Sequence, residues 1–307
     1  MKSASRLLSI VLLLAVAAQA GAGPLRDRIE ARRAAKSGAE TTLDDGDGGA
    51  ARQNVPPGVR LVRDVAYGSD KAQRFDVYVP KGVANAPVIF MVHGGAWKHG
   101  DKKMDAVVEN KVAYWSKRGY IVISTDYRML PEADVLVQAQ DVAKAIGVAQ
   151  DKAADWGGAR DKFILMGHSA GAHLVSLLNS APSLKGSLRW LGVVALDSAA
   201  FDVELIMQAR HMRLYDEPFG TDPAFWRSVS PYAQLTRPGA PMLAVCSSRR
   251  DDSCAQASRY ADKLHQLGGR IDVLPQDLTH RAINETLGQE SSYTSTVDSF
   301  IASLVKR

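Results

Sequence analysis

The stretch Gly167-His168-Ser169-Ala170-Gly171 decides how the rest of the chain is interpreted. It follows the short apolar run Phe163-Ile164-Leu165-Met166, which is typical of a strand covered on both faces, and it precedes a run with helical spacing over 172–178. A serine on such a strand-to-helix turn is presented at the end of the sheet, and the flanking glycines let the backbone pass closely. We therefore predict that Ser169 is a nucleophile; the alternative is a plain turn that contains a serine.

A second glycine-containing loop, His93-Gly94-Gly95-Ala96-Trp97, follows the apolar run Val88-Ile89-Phe90-Met91-Val92. Two successive glycines expose backbone N–H groups, and preorganised donors of this kind stabilise a tetrahedral oxyanion by about 3–4 kcal/mol each. We predict that the donors of an oxyanion hole are the N–H groups of Gly94, Gly95 and Ala170. The N–H of the residue after Gly95 is the alternative to one of the two glycines, and the histidine that opens the loop is expected to brace it.

A general base is expected in a loop after the last strand of the sheet, and the chain has seven histidines. His280 stands in a polar loop that follows a strand predicted over 270–274. His173 lies one turn into the helix after the serine and is not expected to reach back over it. His265 belongs to a predicted helix, and His211 belongs to a predicted insertion. We therefore predict that His280 is the base.

The carboxylate partner of the base is expected after the strand before last, which is predicted over 241–246. Two adjacent carboxylates, Asp251 and Asp252, follow that strand. Ser253 and Gln256 have the spacing of a capping box, so the serine can start the next helix and leave Asp252 free. We predict Asp252 as the acid, with Asp251 as the alternative. In this scheme the acid orients the histidine, which takes the serine proton and returns it to the leaving group.

These loops together resemble α/β-hydrolases of the esterase/lipase group that carry an HGG oxyanion loop. The resemblance runs from about residue 60 to the C-terminus. It rests on His93-Gly94-Gly95-Ala96-Trp97, Asp126-Tyr127-Arg128, Leu130-Pro131-Glu132, Asp141-Val142, Gly167-His168-Ser169-Ala170-Gly171, Ser230-Pro231 and His280. It implies a carboxylic ester hydrolase that binds a small-molecule ester and uses no metal or organic cofactor. Relatives with an HGG-x-W loop act on small acyl esters, on acetylated or feruloylated sugars, or on N-formylkynurenine.

Two positions depart from the pattern of that family. Ala96 replaces the frequent glycine at the fourth position of the oxyanion loop, a change expected to narrow the site. The run Arg249-Arg250-Asp251-Asp252-Ser253-Cys254 replaces the usual Asp that is followed two or three residues later by Val-Pro. The motif itself therefore does not single out the acid.

Predicted strands and helices alternate from Arg60 onward, and this alternation predicts an α/β fold with a mostly parallel central sheet and helices on both faces. We expect one α/β-hydrolase domain over 58–307. The aromatic-rich segment 201–235 interrupts the alternation and is expected to form a small cap over the acyl pocket. Its alternative role is that of surface helices without substrate contact. Trp97 and His168 are expected to line the pocket.

Residues 1–20 have the organisation of a secretory signal peptide. Lys2 and Arg6 precede an apolar run over 7–18 that is too short for a membrane span, and Ala18-Gln19-Ala20 offers a small-x-small cleavage site. We therefore expect a periplasmic or secreted protein that is cleaved near Ala20. Residues 21–57 are predicted to be a flexible linker. An acidic run within it, 44–49, lacks the spacing of a calcium loop.

The only two cysteines, Cys246 and Cys254, bracket the predicted acid loop. In an exported protein a disulfide between them is expected, and two reduced thiols are the alternative.

The net charge of +5 comes without a basic cluster interleaved with aromatic residues, so nucleic-acid binding is not expected. The chain also lacks a P-loop, a dinucleotide fingerprint, an HExxH motif and a CxxC pair.

Three functions are compatible with these patterns. The leading prediction is a secreted serine carboxylesterase that cleaves esters of small to medium acyl groups through an acyl-enzyme. An amide hydrolase of the arylformamidase type would use the same residues, although export argues against it. A non-catalytic binding protein with this fold is the third, and it would not require the order Ser-Asp-His.

Overall fold

The computed structural model describes residues 54–306. The predicted signal peptide and residues 21–53 of the predicted linker lie outside the described residues. No helix within 54–306 combines the length and the apolar character that a membrane crossing requires.

The fold is built on one eight-stranded sheet with the strand order β1-β2-β4-β3-β5-β6-β7-β8. Strands β3 to β8 run parallel, and β2 lies antiparallel between β1 and β4. The strands are β1 (Val59–Ala66), β2 (Arg74–Pro80), β3 (Ala86–Val92), β4 (Ile121–Thr125), β5 (Gly158–His168), β6 (Gly192–Leu196), β7 (Met242–Ser247) and β8 (Ile271–Gln276). The predicted α/β fold with a mostly parallel sheet is confirmed.

Helices cover both faces of the sheet. They are α1 (Asp105–Ser116), α2 (Val135–Asp151), α3 (Ala170–Ser180), α4 (Pro182–Lys185), α5 (Val203–Gln208), α6 (Asp216–Phe219), α7 (Pro223–Val229), α8 (Pro231–Gln234), α9 (Ser253–Gln266), α10 (His280–Glu285) and α11 (Ser292–Val305). One core cluster contains residues of α2, α3 and α9, and a second contains residues of α1 and α11. Burial on both faces explains why the central strands are continuous apolar runs rather than alternating ones.

The sequence from about Ala133 to Trp156 predicts one long helix, and the helix in the structure is shorter. Helix α2 ends at Asp151, and a separate 3-10 turn follows over Ala153–Trp156. Gly157 closes that turn with a φ of 77°, a left-handed conformation that favours glycine. The helix predicted at the C-terminal side of Ser169 begins at Ala170, as the motif requires.

The segment between β6 and β7, where the cap was expected, contains the four short helices α5 to α8. Phe201, Tyr215 and Phe219 of this segment are buried and belong to the same core cluster as Trp97. The segment is therefore packed onto the domain through aromatic side chains, rather than standing away from it.

The parallel strands bring the predicted site residues to one edge of the sheet. Strands β3, β5, β6 and β8 each end immediately before a loop that carries a candidate functional residue. Because these strands are parallel, their carboxyl ends meet at the same edge, which is where open α/β sheets bind their ligands.

Candidate active site

Ser169 occupies a strained turn between β5 and α3. Its φ and ψ are 53° and −119°, and its N–H donates to the carbonyl of Leu196 at 2.9 Å. A Cβ atom on Gly167 would lie 2.4 Å from the carbonyl oxygen of Gly171, and one on Gly171 would lie 2.2 Å from that of Val92. Both glycines are therefore required for the close approach of strand, helix and neighbouring loop. Ser169 remains partly exposed at this turn.

The loop that follows β3 lies directly against this serine. A Cβ atom on Gly94 would stand 2.9 Å from Cβ of Ser169. Among the hydrogen bonds formed by residues 54–306, none is donated by the N–H of Gly94, Gly95 or Ala96. Ala170 is the first residue of α3, so its N–H has no intrahelical partner. The arrangement offers unpaired backbone donors beside the serine, as an oxyanion hole requires.

His93 braces the oxyanion loop rather than facing the serine. It is fully buried, and its Nδ1 donates to the carbonyl of Gly94 at 2.8 Å. The ring stacks on Tyr127 with a centroid separation of 4.5 Å, and the hydroxyl of Tyr127 donates to the carbonyl of His93 at 3.1 Å. Tyr127 thus stabilises the conformation of the loop.

The predicted base, His280, is the first residue of α10 and is buried. Its Nδ1 lies 2.6 Å from Oδ2 of Asp197. Thr279 caps the helix by accepting a hydrogen bond from the N–H of Ala282, which fixes the start of α10 and the position of the imidazole. The other face of the site is supplied by His168, whose ring centroid lies 4.5 Å from that of His280.

His168 was expected in the substrate pocket, and this expectation is corrected. The residue is 1% exposed, and its Nε2 donates to the carbonyl of His280 at 3.0 Å. Its ring lies against that of His280 and is closed off from solvent. His168 therefore stabilises the backbone of His280 through this hydrogen bond.

The prediction of Asp252 as the acid partner is also corrected. The residue paired with His280 is Asp197, directly after β6, whereas the carboxylate of Asp252 lies 3.2 Å from Nη2 of Arg250. Asp251, the alternative, is exposed. Strands β6 and β7 are neighbours, so a carboxylate after either one can reach the same histidine. In the structure the carboxylate comes from Asp197, after β6, and the loop after β7 supplies the guanidinium of Arg250 that pairs with it.

Asp197 is held by four donors and kept ionised. Its Oδ1 accepts from the N–H of Ser247 at 2.7 Å and from the hydroxyl of Ser253. Its Oδ2 accepts from Nδ1 of His280 and, at 2.9 Å, from Nη1 of Arg250. Burial raises the pKa of Asp197, but the hydrogen bond from His280 and the charge of Arg250 outweigh burial, so the pKa lies well below its usual range.

The capping box predicted for Ser253 and Gln256 is wrong for the same reason. Asp252 is the N-cap residue of α9 and makes no side-chain cap bond, while the hydroxyl of Ser253 is bound to Asp197. The side chain of Gln256 accepts from the N–H of Asp202 at 2.7 Å. Both side chains thus serve the loops after β6 instead of the helix terminus.

An aromatic cluster joins the oxyanion loop to the segment between β6 and β7. Nε1 of Trp97 donates to Nδ1 of His173 at 3.2 Å, and the Trp97 ring packs against Phe219 and Tyr215 with centroid separations of 5.0 and 6.1 Å. Nε2 of His173 donates to the carbonyl of Val229 at 2.8 Å. Burial lowers the pKa of His173 to about 4, so it is neutral at pH 7 and packs within the aromatic cluster.

The disulfide predicted between Cys246 and Cys254 is confirmed in the structure. It links the end of β7 to the first turn of α9, with a Cα–Cα separation of 5.1 Å. The residues it encloses include Ser247, Arg250 and Ser253, all of which contact Asp197.

Parts of the chain are similar to known proteins. Residues 75–188 match the BD-FAE family model. The chain is 34% identical over 115 residues to a probable isoprenylcysteine alpha-carbonyl methylesterase of Arabidopsis thaliana, covering 37% of this chain and 24% of the relative. It is 30% identical over 207 residues to the esterase LipC of Mycobacterium tuberculosis, covering 61% of this chain and 50% of the relative. The chain thus spans half or less of the length of these two relatives.

The fold is similar to that of esterase B from Lactobacillus rhamnosis, with a TM-score of 0.69 at 19% identity. That superposition covers 92% of this chain and 95% of the other. The serine turn between strand and helix and the glycine loop beside it are arranged as in the α/β-hydrolase fold. The chain therefore has an α/β-hydrolase fold, and parts of its sequence are similar to proteins named as esterases.

Proposed function

We propose that this protein is a serine hydrolase that cleaves carboxylic esters of small to medium acyl groups. The observation that carries the proposal is the convergence of a strained, partly exposed Ser169, unpaired N–H groups beside it, and a buried histidine paired with an ionised carboxylate. Matches to proteins named as esterases support the reaction class.

In the acylation step, His280 takes the hydroxyl proton of Ser169 as the oxygen attacks the ester carbonyl. The developing oxyanion is bound by the N–H groups of Ala170 and of the Gly94-Gly95-Ala96 loop. Asp197 accepts a hydrogen bond from Nδ1–H of the imidazole, and this bond fixes the tautomer and stabilises the cation. The imidazolium then protonates the departing alcohol, and the acyl group remains on the serine.

In the deacylation step, a water molecule occupies the position of the alcohol. His280 removes a proton from the water as its oxygen attacks the acyl carbon, and the oxyanion forms again in the same site. Collapse breaks the bond to the oxygen of Ser169, which takes the proton back from His280, and the carboxylic acid leaves. Asp197 stays charged throughout because its pKa is held low by His280 and Arg250 against the opposing effect of burial. No step requires a second carboxylate, so Asp252 has no part in the chemistry.

The proposal is tested by steady-state hydrolysis of p-nitrophenyl acetate, butyrate and octanoate. We expect turnover of acetate and butyrate, weaker turnover of octanoate, and loss of turnover in Ser169→Ala. Equal rates for wild type and Ser169→Ala would overturn the proposal. Activity on a formyl anilide in the same assay distinguishes amide hydrolysis from ester hydrolysis. Inactivity on every substrate would favour a non-catalytic binding protein and contradict the proposal.

We also propose that the protein is exported after cleavage near Ala20. Lys2, Arg6 and the apolar run over 7–18 support this, and a disulfide is typical of an oxidising compartment. Expression of the full chain in a Gram-negative host, followed by fractionation and N-terminal sequencing, tests the proposal. We expect periplasmic protein that begins near Gly21; uncleaved protein in the cytoplasm would contradict export.

A further inference from the structure

The loop between β7 and α9, residues 247–253, forms most of the polar surroundings of Asp197. The N–H of Ser247 and the hydroxyl of Ser253 bind one carboxylate oxygen, and Arg250 binds the other. Together these contacts leave Oδ2 directed at His280. The loop that was predicted to carry the acid therefore holds an acid that comes from the neighbouring strand.

Arg250 is the central residue of this loop. Its side chain is 9% exposed, and Nη1 lies 2.9 Å from both Oδ2 of Asp197 and Nδ1 of His280. Because Nδ1 donates to Asp197, the guanidinium and the imidazole share one acceptor oxygen. The Nη2 atom of Arg250 reaches Asp252 at 3.2 Å, and the guanidinium also interacts with Tyr215 of the segment between β6 and β7. A fixed positive charge thus lies beside the imidazole nitrogen that binds Asp197.

We propose that Arg250 is a positioning residue for the Asp197–His280 pair, and that the Cys246–Cys254 disulfide keeps Arg250 in place. The inference rests on the proposed function, since it assigns a role within the same site. Arg250 acts through Asp197 and His280 and does not touch the reacting serine in this scheme. The disulfide encloses the loop from both ends, so its reduction releases Arg250 together with Ser247 and Ser253.

Two physical effects follow from this geometry. The first is orientation: with Oδ1 bound by the loop and Oδ2 bound by Arg250, the carboxylate cannot turn away from His280. The second is charge: a guanidinium beside the imidazole opposes a second positive charge there and partly neutralises Asp197. The titratable and charged groups around the pair are Asp197, Arg250, Asp252, His168, Tyr215 and Tyr293.

The first test compares Arg250→Gln and Arg250→Lys with the matched control Arg249→Gln. Arg249 is the adjacent arginine, but its side chain is 51% exposed and pairs with Asp277 instead. We expect Arg250→Gln to lower kcat by about tenfold to 10²-fold with KM unchanged. We also expect the acidic limb of the kcat/KM profile to move to higher pH, because removing the guanidinium favours the protonated imidazole.

Arg250→Lys retains the positive charge but loses the planar set of donors. We therefore expect its acidic limb to lie at the wild-type pH and its kcat to be partly restored. Circular dichroism and the thermal midpoint of each variant establish that it is folded. If Arg250→Gln matches Arg249→Gln in both kcat and pH profile, the positioning role is overturned.

The second test is reduction of the disulfide, with the freed thiols counted by a chromogenic reagent. We expect kcat of the wild type to fall and its acidic limb to move in the same direction as in Arg250→Gln. Reduction of Arg250→Gln should add little, because the same contact is already lost. Fully reduced wild type with unchanged kcat and pH profile would overturn the role of the disulfide.

These outcomes are distinguishable from failure of the proposed function. If Ser169→Ala retains wild-type turnover, the proposed function fails and the Arg250 experiments lose their basis. If Ser169→Ala is inactive and Arg250→Gln behaves like Arg249→Gln, only the positioning role fails.

Discussion

Oδ2 of Asp197 lies 2.6 Å from Nδ1 of His280, although Asp197 follows β6 and the expected position of the acid follows β7. The backbone of Asp197 has a φ of 53°, which aspartate tolerates better than most residues. A left-handed residue at the end of β6 turns the carboxylate toward the neighbouring strand. Asp197, which follows β6, therefore takes the place beside His280 that was expected for an aspartate after β7.

This relationship predicts opposite results for two aspartate variants. Asp197→Asn should lower kcat by about 10⁴-fold, because the amide no longer fixes the imidazole tautomer or stabilises its cation. Asp252→Asn should lower kcat far less, since its carboxylate reaches the site only through Arg250. The measurement is kcat on p-nitrophenyl acetate for both variants and for Asp251→Asn. A larger loss in Asp252→Asn than in Asp197→Asn would contradict the assignment.

The close contact of Gly94 with the serine predicts a strong effect of a single methyl group. Gly94→Ala would bring a Cβ atom to 2.9 Å from Cβ of Ser169 and 3.0 Å from the carbonyl oxygen of His168. We expect the displaced loop to lower kcat by about 10²–10³-fold, the usual effect of losing one oxyanion donor.

Gly147→Ala in α2 is the matched control for Gly94→Ala. Its Cβ atom would meet only a side-chain carbon of Leu188 at 3.5 Å, an ordinary contact. We expect unchanged kcat and a gain of about 0.5–1 kcal/mol in the free energy of unfolding, because alanine favours a helix over glycine. Equal kcat for the two variants would argue against Gly94 as part of the oxyanion hole.

The backbone of Ser169 predicts a stability difference between two inactive variants. Its φ of 53° is costly for any residue with a Cβ atom, and strain of this kind concentrates at functional sites. Ser169→Gly relieves the strain, whereas Ser169→Ala retains it. We expect the glycine variant to be more stable than the alanine variant by about 1 kcal/mol in urea unfolding. An alanine variant of equal or greater stability would show that the turn stores no strain.

Buried His173 predicts acid-sensitive stability. Its pKa is lowered by burial from 6.5 to about 4, so between these values the unfolded chain binds a proton that the folded chain does not. Stability therefore falls as the pH decreases from about 6.5 toward 4. In His173→Gln, which can still bond to Trp97 and to the carbonyl of Val229, this part of the pH dependence should disappear.

His211→Gln is the control for the titration of His173. The pKa of His211 is raised by its hydrogen bonds to the carbonyl of Ala209 and to Asp216. The stability that protonated His211 contributes is lost as the pH rises, whereas the loss caused by His173 occurs as the pH falls. The acid-side loss of stability should therefore persist in this variant. If the acid-side loss of stability is equally large in His173→Gln, a group other than His173 causes that loss.

The sequence predicted those features that local chemistry determines. Gly167 and Gly171 are required because the backbones of β5, α3 and the β3 loop approach within a few ångströms, and this requirement appears in the motif itself. The apolar runs of the central strands likewise record burial on both faces. The chain has only two cysteines, so the disulfide expected of an exported protein could join only Cys246 and Cys254.

The acid could not be predicted in the same way, because its choice depends on contacts between different strands. Asp197 and Asp252 both follow a strand of the sheet and precede a helix, and the usual chain order favoured the later one. What excludes Asp252 is the side chain of Arg250, which lies between it and the histidine. His168 was misassigned for a similar reason, since only the packing of α10 shows that it lies beneath the base.

Trapping the acyl-enzyme tests directly whether Ser169 is the nucleophile. The protein is mixed with p-nitrophenyl acetate, quenched in acid within the first turnovers and digested, and the peptides are examined by mass spectrometry. Asp197→Asn is included because slow deacylation should let the intermediate accumulate. We expect one acetyl group on Ser169 and none in Ser169→Ala. Turnover without an acetylated Ser169 peptide, or acetylation that persists elsewhere in Ser169→Ala with full activity, would contradict the assignment of Ser169 as the nucleophile.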